Sequence, residues 1–319
     1  MSSVLRPMST GEVLDRTFVL YRSNFLFFAG IATLPALTFF VAIFLIKISG
    51  KLMPGWNADA TSVLMSMLLV LAYLAVFLSV AFLGVAMAAG ATVYAVSRIH
   101  LGHTTTIRES YRQIGRLSGR ILRIVLTVVL RMFLSWIGVY LLAIAPALLI
   151  QGLITTRMLS ANRLMLQIFF GLLGAGFLFG GLFWSMRIAC RYSLAVAGCV
   201  LERLKARPAL KRSKYLAKGV LFRIFLVCLL VVFVGLPVYF VTQMPGMFFN
   251  YMDHGTPNLI QEFCGSLIAT ALAFPIGAIG TCLVYYDQRV RKEAFDLQVM
   301  MESLAKPALE QAAAVSSIG

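Results

Sequence analysis

Charged residues are scarce in this chain of 319 residues: only 13% are Asp, Glu, Lys or Arg, and just 12 are acidic. Soluble domains usually carry about 25% charged residues, so this chain has too few to cover a surface in contact with water. Apolar residues make up 60% of the sequence and gather in runs long enough to cross a ~30 Å hydrocarbon core as helices. The composition predicts a polytopic membrane protein and excludes a secreted disulfide-stabilised scaffold, a disordered tail and a free cytosolic enzyme.

Residues that build metal and redox centres are also few. The five cysteines lie in or beside apolar segments, their number is odd and no CxxC pair occurs, so we interpret them as small buried apolar residues. Of the three histidines only His100 and His103 are close in sequence, with Glu109 as the one nearby acid, which does not predict a metal site. Phosphate-binding glycine loops and the GxSxG nucleophile elbow are absent. We therefore expect no cofactor, no metal and no enzymatic activity.

Six apolar segments are predicted to span the membrane. They cover residues 25–46, 62–97, 124–150, 167–197, 221–243 and 263–286. If these segments cross in turn and Arg223, at the start of the fifth span, is counted with the loop before it, 21 of the 28 Lys and Arg residues fall on one side of the membrane. Four fall on the other side, and three lie deeper within spans. Because short cytoplasmic loops are enriched in Lys and Arg, both termini are predicted to be cytoplasmic.

Short amphipathic helices are predicted before alternate spans. Ser9 and Glu12 have the spacing of a capping box, and the helix that follows carries its apolar residues on one face: Val13, Leu14, Phe18, Tyr21 and Phe25. Thr106 and Glu109 repeat this spacing, and Pro208 occupies a predicted first helical position before the fifth span. The predicted organisation is a cytoplasmic N-terminal amphipathic helix at residues 1–24, a six-span domain at 25–286, and a cytoplasmic C-terminal helix and tail at 287–319.

A dense run of charges follows the sixth span, in the segment YYDQRVRKEAFDL at residues 285–297. On a continuing helix the charges pair at i, i+4: Asp287 with Arg291, Arg289 with Glu293, and Lys292 with Asp296. One interpretation is an interfacial anchor, with the two tyrosines at the membrane surface. The alternative is that Asp287 turns inward and pairs with Arg187 or Arg191, which forms a polar centre at the cytoplasmic mouth of the bundle.

Arginine and glycine within the spans allow further predictions. Arg131 lies about eight residues into the third span, so its side chain either extends to the cytoplasmic interface or faces inward and contacts an anionic lipid headgroup or substrate. In the basic segment KRSKYLAKG, which is either a topology signal or a lipid-phosphate contact, Ser213 is interpreted as a polar contact. Small residues in the fourth and sixth spans predict close helix packing: Gly171, Gly174, Gly176, Gly180, Gly181, Ala273, Gly277 and Gly280.

Three separated segments carry a family resemblance. They are YYDQRVRKEAFDL, LRPMSTGEVLDRTFVLYRSNF at residues 5–25, and the pattern Glu202, Ala209, Leu210, Arg212, Ser213, Leu216 and Gly219. Together they resemble the membrane domain of glycerophosphoryl diester phosphodiesterases, with Ala294 where the family commonly has glycine. The resemblance implies a bacterial or archaeal helical membrane domain, which is sometimes fused to a catalytic barrel and often stands alone without an established activity.

The catalytic barrel of that family is not expected here. The segments before Phe25 and after Phe295 are too short to hold it, and the His-Arg pair and metal-binding carboxylates expected of the enzyme are missing. The resemblance therefore does not predict phosphodiesterase activity. It does imply a location in the cytoplasmic membrane of a prokaryote.

These patterns predict an all-α polytopic membrane protein with about six transmembrane helices and short cytoplasmic amphipathic helices. The predicted role is anchoring, scaffolding or assembly without catalysis, and the alternative is a transporter or flippase for a lipid or small solute. The expected partners are membrane lipids, including anionic ones, and a membrane or cytoplasmic protein, but not nucleic acid. The candidate polar or lipid-contacting residues are Arg131, Arg187, Arg191, Glu202, Arg212, Ser213, Asp287, Arg289, Arg291 and Glu293.

Overall fold

The computed structural model describes residues 7–51, 65, 81–99, 104–155, 163–253 and 259–294. Within these ranges the backbone is helical apart from short turns and contains no strand. In chain order the helices are α1 (Thr10–Ser23), α2 (Phe25–Lys51), α3 (Ala81–Ile99), α4 (Ile107–Gly115), α5 (Ser118–Thr155), α6 (Arg163–Tyr192), α7 (Ala195–Leu201), α8 (Ala206–Ala217), α9 (Leu221–Asp253) and α10 (Leu259–Glu293). The predicted tail beyond Ala294 lies outside the described residues, as does most of 62–80 in the predicted second span.

Long apolar helices dominate the described part of the chain. Five of them are long and apolar enough to cross a membrane, and a sixth span results if α1 and the first part of α2, bent by 91°, are taken together. α5, α6 and α9 leave most of their apolar side chains on the outside of the bundle, where lipid can solvate them. The prediction of an all-α integral membrane protein with about six spans is confirmed.

The starts of the short helices follow local capping rules. At α1, Ser9 Oγ accepts from the Glu12 amide at 3.2 Å while Glu12 accepts from the Ser9 amide at 2.6 Å, so the predicted capping box is present. Thr106 caps α4 by accepting from the Glu109 amide at 3.2 Å. α8 begins at Ala206, so Pro208 is its third helical residue and not its first. Proline is tolerated there because the first-turn N–H groups have no partner within the helix.

α1 lies along α10 and buries a stripe of residues with helical spacing, namely Val13, Thr17 and Tyr21. The Tyr21 hydroxyl donates to the Ala271 carbonyl at 3.1 Å, and the Thr17 hydroxyl donates to the Val13 carbonyl at 2.7 Å. Because this local bond satisfies Thr17, the small polar residue packs as a core residue. Phe18 was predicted on the buried face but is 41% exposed, since the stripe of i, i+4 neighbours runs through Thr17.

α9 and α10 form an antiparallel pair with close contact at two glycines. A Cβ atom on Gly277 would lie 3.0 Å from Val231, and one on Gly280 would lie 2.6 Å from Val227, which confirms the predicted packing role of these two positions. In α6 only Gly181 meets a neighbour, Val139 of α5 at 3.0 Å. The other predicted packing glycines of α6 have no described atom within 4 Å: Gly171, Gly174, Gly176 and Gly180. For these four positions the described residues therefore show no close helix contact.

The cysteines are free thiols with different environments. Cys190, Cys199 and Cys282 are buried, as predicted for small apolar side chains. Cys228 is half-buried, and Cys264 is exposed near the start of α10, where the prediction is wrong. Cys282 of α10 faces α3, with its sulfur 3.9 Å from the Val93 carbonyl oxygen. α10 therefore contacts α1, α2, α3 and α9 and forms the centre of the bundle.

Candidate functional site

The carboxylate of Asp287 joins the segment before α1 to α9 and α10. Asp287 is 1% exposed, and its oxygens accept from the Met8 amide and from Arg223 Nη1, each at 2.7 Å, and from Arg291 Nε at 3.0 and 3.1 Å. Arg223 and Arg291 also donate through Nη2 to the Met8 carbonyl, each at 2.8 Å. We call Met8, Arg223, Asp287 and Arg291 the Asp287 clamp.

The Asp287 clamp compensates a charge that would otherwise be costly to bury. An isolated carboxylate in an apolar interior loses its hydration and gains no hydrogen bonds in exchange. Asp287, in contrast, accepts hydrogen bonds from two guanidinium groups and one backbone N–H. The same contacts satisfy the N–H and C=O groups of Met8, which precede the helix. The clamp therefore fixes the start of α1 to the ends of two long helices.

The partners of Asp287 differ from those predicted for an inward orientation. Asp287 does face inward, and its i, i+4 pair with Arg291 is present. Arg223 occupies the place expected for Arg187 or Arg191, which instead lie on the exposed side of α6. The predicted pairing of Asp287 with Arg187 or Arg191 is therefore wrong, because the helix that packs against α10 beside Asp287 is α9 and not α6.

A second, half-buried group of charges centres on Arg212 of α8. Arg212 Nη2 donates to Glu202 Oε1 at 2.8 Å and to Glu293 Oε2 at 2.7 Å, and Nη1 donates to Glu293 Oε1. The Tyr285 hydroxyl also donates to Glu202, and Arg289 Nε lies 3.5 Å from both carboxylates. We call Glu202, Arg212, Tyr285, Arg289 and Glu293 the Arg212 cluster.

The Arg212 cluster balances two carboxylates against two guanidinium groups. Burial lowers the pKa of Arg212, but the hydrogen bonds to Glu293 and Glu202 outweigh that effect, so its pKa is raised overall. A guanidinium with two forked carboxylate partners is geometrically well defined. The cluster ties the end of α7 and the middle of α8 to the last turn of α10.

Two further contacts hold α8 in place. Lys292 Nζ donates to the carbonyls of Tyr215, Leu216 and Lys218 at 2.8 to 3.0 Å, where the unsatisfied carbonyls and the negative end of the helix dipole favour a cation. Ser213 is buried and donates to the Arg191 carbonyl at the end of α6 at 2.9 Å. Ser213 is thus a polar contact, as interpreted from the sequence. Asp296, the predicted partner of Lys292, lies outside the described residues.

Three of the candidate arginines lie on the outer surface and belong to neither the Asp287 clamp nor the Arg212 cluster: Arg131, Arg187 and Arg191. Arg131 is exposed, with its guanidinium carbon 4.7 Å from the centre of the Tyr192 ring. Arg187 is also exposed and lies over the Trp184 ring at 5.8 Å. Arg131 therefore does not face the bundle interior, and the inward interpretation of this residue is wrong. Stacking on an aromatic face is a common arrangement for a guanidinium.

Sequence reasoning missed three members of the buried charge groups. Arg223 was counted only among the basic residues that set orientation, and Tyr285, predicted at the membrane surface, is fully buried. Met8 contributes through its backbone, which leaves no signal in the side-chain pattern. An arginine at the start of the fifth span and an acid at the end of the sixth were the available signal, because antiparallel neighbours bring such positions together.

α8 presents a basic stripe on the side away from the bundle. Its buried face consists of small and apolar residues, namely Ala209, Leu210, Ser213, Leu216 and Ala217. Its exposed basic residues recur at helical spacing and continue into the following turn: Arg207, Lys211, Lys214 and Lys218. In the described segment 202–223 the one acidic residue is Glu202, which is held in the Arg212 cluster. The outward side of α8 is therefore uniformly positive.

Two cavities open beside these elements. The apolar cleft, of about 550 Å³, lies between α2, α4 and α10 and is lined by Gly30, Thr33, Leu34, Leu37, Ile107, Tyr111, Phe263 and Leu267. The basic pocket, of about 220 Å³, lies between α6, α8 and the start of α9 and is lined by Arg187, Arg191, Lys214, Ala217, Lys218, Gly219 and Leu221. The described residues include no group of three His, Cys, Asp or Glu side chains suited to a metal ion, and the three histidines lie outside them.

Comparisons with known proteins add no assignment to this geometry. No model of a known protein family matches the chain, and neither a curated protein nor a solved structure is detectably similar to it. The class that the fold defines is an all-α integral membrane protein. Its function has to be inferred from its own residues.

Proposed function

We propose that this protein is a non-catalytic membrane scaffold that presents a basic docking helix, α8, on the cytoplasmic side of a prokaryotic cytoplasmic membrane. The observation that carries the proposal is the contrast between the two sides of α8. Its inner side is fixed by the Arg212 cluster, Lys292 and Ser213. Its outer side offers exposed basic residues without acidic neighbours on the same segment.

A rigid basic helix suits recognition of an acidic partner. Complementary charge raises the association rate and excludes partners of the wrong sign, and a helix already held in place loses little conformational entropy on binding. The partner we propose is a cytoplasmic or membrane protein with an acidic surface. The excess of Lys and Arg on one side of the spans supports a cytoplasmic location for α8 and for both termini.

We further propose that the chain belongs to the membrane-domain family of glycerophosphoryl diester phosphodiesterases, as a stand-alone domain. The support is that residues of the resembling segments contact one another across the fold. Glu202 and Arg212 come from one segment, while Asp287 and Glu293 come from another, and all four lie in the two buried charge groups. A pattern that coincides with a structural network is more specific than scattered identities.

The proposal includes no catalytic step. Glu202, Asp287 and Glu293 are each engaged by arginines, so their oxygens accept hydrogen bonds from within the protein. A general acid or base has to exchange a proton with substrate, and a carboxylate held by two guanidinium groups is poorly suited to that role. These residues are better explained as positioning groups for α8.

The test is a charge reversal on the outer side of α8. Arg207→Glu with Lys211→Glu should abolish retention of the partner, because both side chains are exposed and neither lies in the buried charge groups. Retention is measured by native mass spectrometry of the protein extracted into lipid nanodiscs, followed by identification of the bound protein. Deletion of α1 is unsuitable, because it removes Val13 and Thr17 from the core and the helix that follows Met8 of the Asp287 clamp.

The matched control reverses two exposed arginines on α4, Arg108→Glu with Arg112→Glu. It makes the same change in net charge at a different place in the bundle. Equal loss of the partner in both variants would mean that net charge and not α8 mediates binding. Full retention in the α8 variant would contradict the scaffold proposal.

A second candidate function is a transporter or flippase for a lipid or small apolar solute, and the apolar cleft favours it. The cleft has the volume of a drug-sized ligand site, and two of the helices that line it, α2 and α10, contain Pro35 and Pro275. Proline interrupts the helical hydrogen bonds and allows bending. Repeated broken helices are a feature of many transporters.

Filling the cleft tests the transport function. Thr33→Trp places a large side chain in the cleft, whereas Leu26→Trp on the same helix points to the outside, since Leu26 is 82% exposed. If the protein moves a lipid, Thr33→Trp should slow the transfer of a labelled lipid between the leaflets of proteoliposomes and Leu26→Trp should not. Equal transfer by both variants and by the wild-type protein would count against transport through the cleft.

A further inference from the structure

The basic pocket collects four side chains of one sign around a cavity of about 220 Å³. Arg187 and Arg191 come from the last turns of α6, and Lys214 and Lys218 come from the end of α8 and the turn after it. No carboxylate of the described residues is within ion-pair distance of any of these four. Arg212, Arg223, Arg289 and Arg291 nearby all have carboxylate partners. The pocket thus concentrates positive charge without a counter-charge from the described residues.

The backbone around the basic pocket is held by contacts already described. Ser213 Oγ bonds to the Arg191 carbonyl at 2.9 Å, which joins the two helices that supply the four cations. Lys214 Nζ lies 5.6 Å from the centre of the Tyr192 ring, and Arg131 lies at 4.7 Å from the same ring. Arg131 and Lys214 thus both lie over the Tyr192 ring. Side chains with like charge that line one pocket repel one another, and a bound anion would relieve that repulsion.

The turn between α8 and α9 gives the basic pocket its open side. Gly219 adopts the left-handed backbone conformation, with φ +88°, and no described atom lies within 4 Å of the place where a Cβ would be. Leu221 then begins α9, whose leading N–H groups have no acceptor within the helix. The positive end of the α9 dipole thus adds to the field of the four side chains.

Apolar side chains continue from the basic pocket along α6 and α9. On α6, Phe183 is 70% exposed and Trp184 is 53% exposed, and both lie within two turns of Arg187. On α9, Phe222 is 70% exposed and follows Leu221 directly. Aromatic residues of this kind are typical of the region between headgroups and hydrocarbon. A ligand with an anionic group in the pocket and an apolar portion beside these residues matches both surfaces.

We propose that the basic pocket binds the phosphate-bearing headgroup of an anionic glycerophospholipid, with its acyl chains against the exposed apolar sides of α6 and α9. Basic pockets between transmembrane helices recognise such headgroups through several Lys and Arg side chains together. The site is separate from the outer positions Arg207 and Lys211 that test the scaffold role. Bound lipid would fix α8 against α6 from the lipid side, as Ser213 does from the protein side.

The test measures lipid binding to delipidated protein in a neutral detergent. Native mass spectrometry of a titration gives the affinities for phosphatidylglycerol and for phosphatidylcholine, which share a phosphate and acyl chains but differ in net charge. Wild-type protein should prefer phosphatidylglycerol, and Arg187→Gln with Arg191→Gln should weaken its binding about tenfold or more, because each basic residue near a lipid headgroup contributes substantially. The matched control is Arg108→Gln with Arg112→Gln on α4, which should bind phosphatidylglycerol like the wild-type protein.

Competition with inorganic phosphate distinguishes a lipid site from a site for the free anion. Millimolar phosphate should leave phosphatidylglycerol binding within about twofold of its original affinity, since the apolar contacts contribute as well. Displacement of the lipid by phosphate would assign the pocket to the free anion and overturn the lipid proposal. Unchanged affinity in the pocket variant, equal weakening in the control, or no preference for phosphatidylglycerol would overturn it too.

Arg187 and Arg191 are both exposed, so their substitution should leave the helical circular dichroism spectrum and melting temperature close to those of the wild-type protein. If the double variant is nevertheless unstable, Lys218→Gln replaces it, because Lys218 lies in an exposed turn. That single change removes one of four cations and should weaken phosphatidylglycerol binding by several-fold. An unchanged affinity of a well-folded Lys218→Gln variant would contradict the proposal.

Discussion

The backbone N–H of Met8 donates to the carboxylate of Asp287 at 2.7 Å, although 279 residues separate the two in the chain. Arg223 and Arg291 complete the contact by binding both the carboxylate and the Met8 carbonyl. The beginning of α1, the start of α9 and the last turns of α10 therefore meet at one buried acid. The carboxylate of Asp287 therefore links three elements of the bundle through hydrogen bonds.

Asp287→Asn should be strongly destabilising. The amide keeps the size of the side chain but leaves Arg223 and Arg291 with no negative partner, and loss of one member of a buried ion pair typically costs about 3–5 kcal/mol. The measurement is the free energy of unfolding by denaturing detergent in mixed micelles. Asp15→Asn is the control, because Asp15 is exposed on α1 and its change should cost less than about 0.5 kcal/mol. Similar values for the two variants would contradict the structural role of Asp287.

Gly280→Ala should destabilise the contact between α9 and α10. Its new methyl group would lie 2.6 Å from Val227 Cγ1 and 3.5 Å from Thr17 Oγ1, and overpacking of this kind costs about 1–3 kcal/mol. Gly176→Ala in α6 is the matched control, since no described atom lies near its added methyl group. That change should raise stability by up to about 1 kcal/mol through helix propensity. Melting temperatures of the two variants should move in opposite directions.

Ala294→Gly should stabilise the protein. Ala294 ends α10 with φ +48°, a left-handed conformation that costs an L-residue roughly 1–2 kcal/mol and costs glycine almost nothing. Allowing for the greater freedom of glycine in the unfolded chain, the expected gain is about 1 kcal/mol. Ala294→Val should have the opposite effect, because a β-branched side chain is least compatible with this backbone. A lower melting temperature for the glycine variant would show that the left-handed end is not populated.

Tyr111→Phe tests the contact between α4 and α2. The Tyr111 hydroxyl donates to the Ile31 carbonyl at 2.6 Å, and its loss should cost about 1 kcal/mol at neutral pH. Burial raises the pKa of Tyr111 from 10.0 to about 12. The folded state therefore favours the protonated phenol, and this contribution is complete below about pH 10 and lost as the pH rises to about 12.

The measurement for Tyr111 is the difference in free energy of unfolding between the wild-type protein and the Phe variant as a function of pH. The other tyrosines are common to both proteins, so their titration cancels in the difference. The advantage of the wild-type protein should be constant below about pH 10 and should decrease above it. A difference independent of pH up to about 12 would show that Tyr111 has an ordinary pKa.

The spans and the caps were predictable because their determinants are local. Hydrocarbon thickness sets the length of an apolar segment, and the capping box at Ser9 and Glu12 depends on residues three apart. The pair of Asp287 and Arg291 was predictable for the same reason, since both lie on one helix. The helix end at Ala294 carried no such signal, because glycine and not alanine is the usual residue in this left-handed conformation.

The partners across helices were not predictable because they depend on which helices are neighbours. Asp287 needed a cation from another helix, and sequence alone did not distinguish Arg223 from Arg187 or Arg191. The choice follows from the contact of α9 with α10, which Gly277 and Gly280 permit. Whether Arg131 faces outward also depends on a contact between helices, since its guanidinium lies over the ring of Tyr192 at the end of α6.

The Asp287 clamp also sets an order of events during biosynthesis. Ribosomes add about 5–20 residues per second, so Asp287 emerges roughly 15–55 s after Met8, given the 279 residues between them. During that interval α1 is complete but lacks the carboxylate that holds its start. An amphipathic helix can lie on the membrane surface during this time. Because α1 packs along α10, it reaches its final position only when α10 has been inserted. Among the described helices, the one made last, α10, completes the contacts of the one made first, α1.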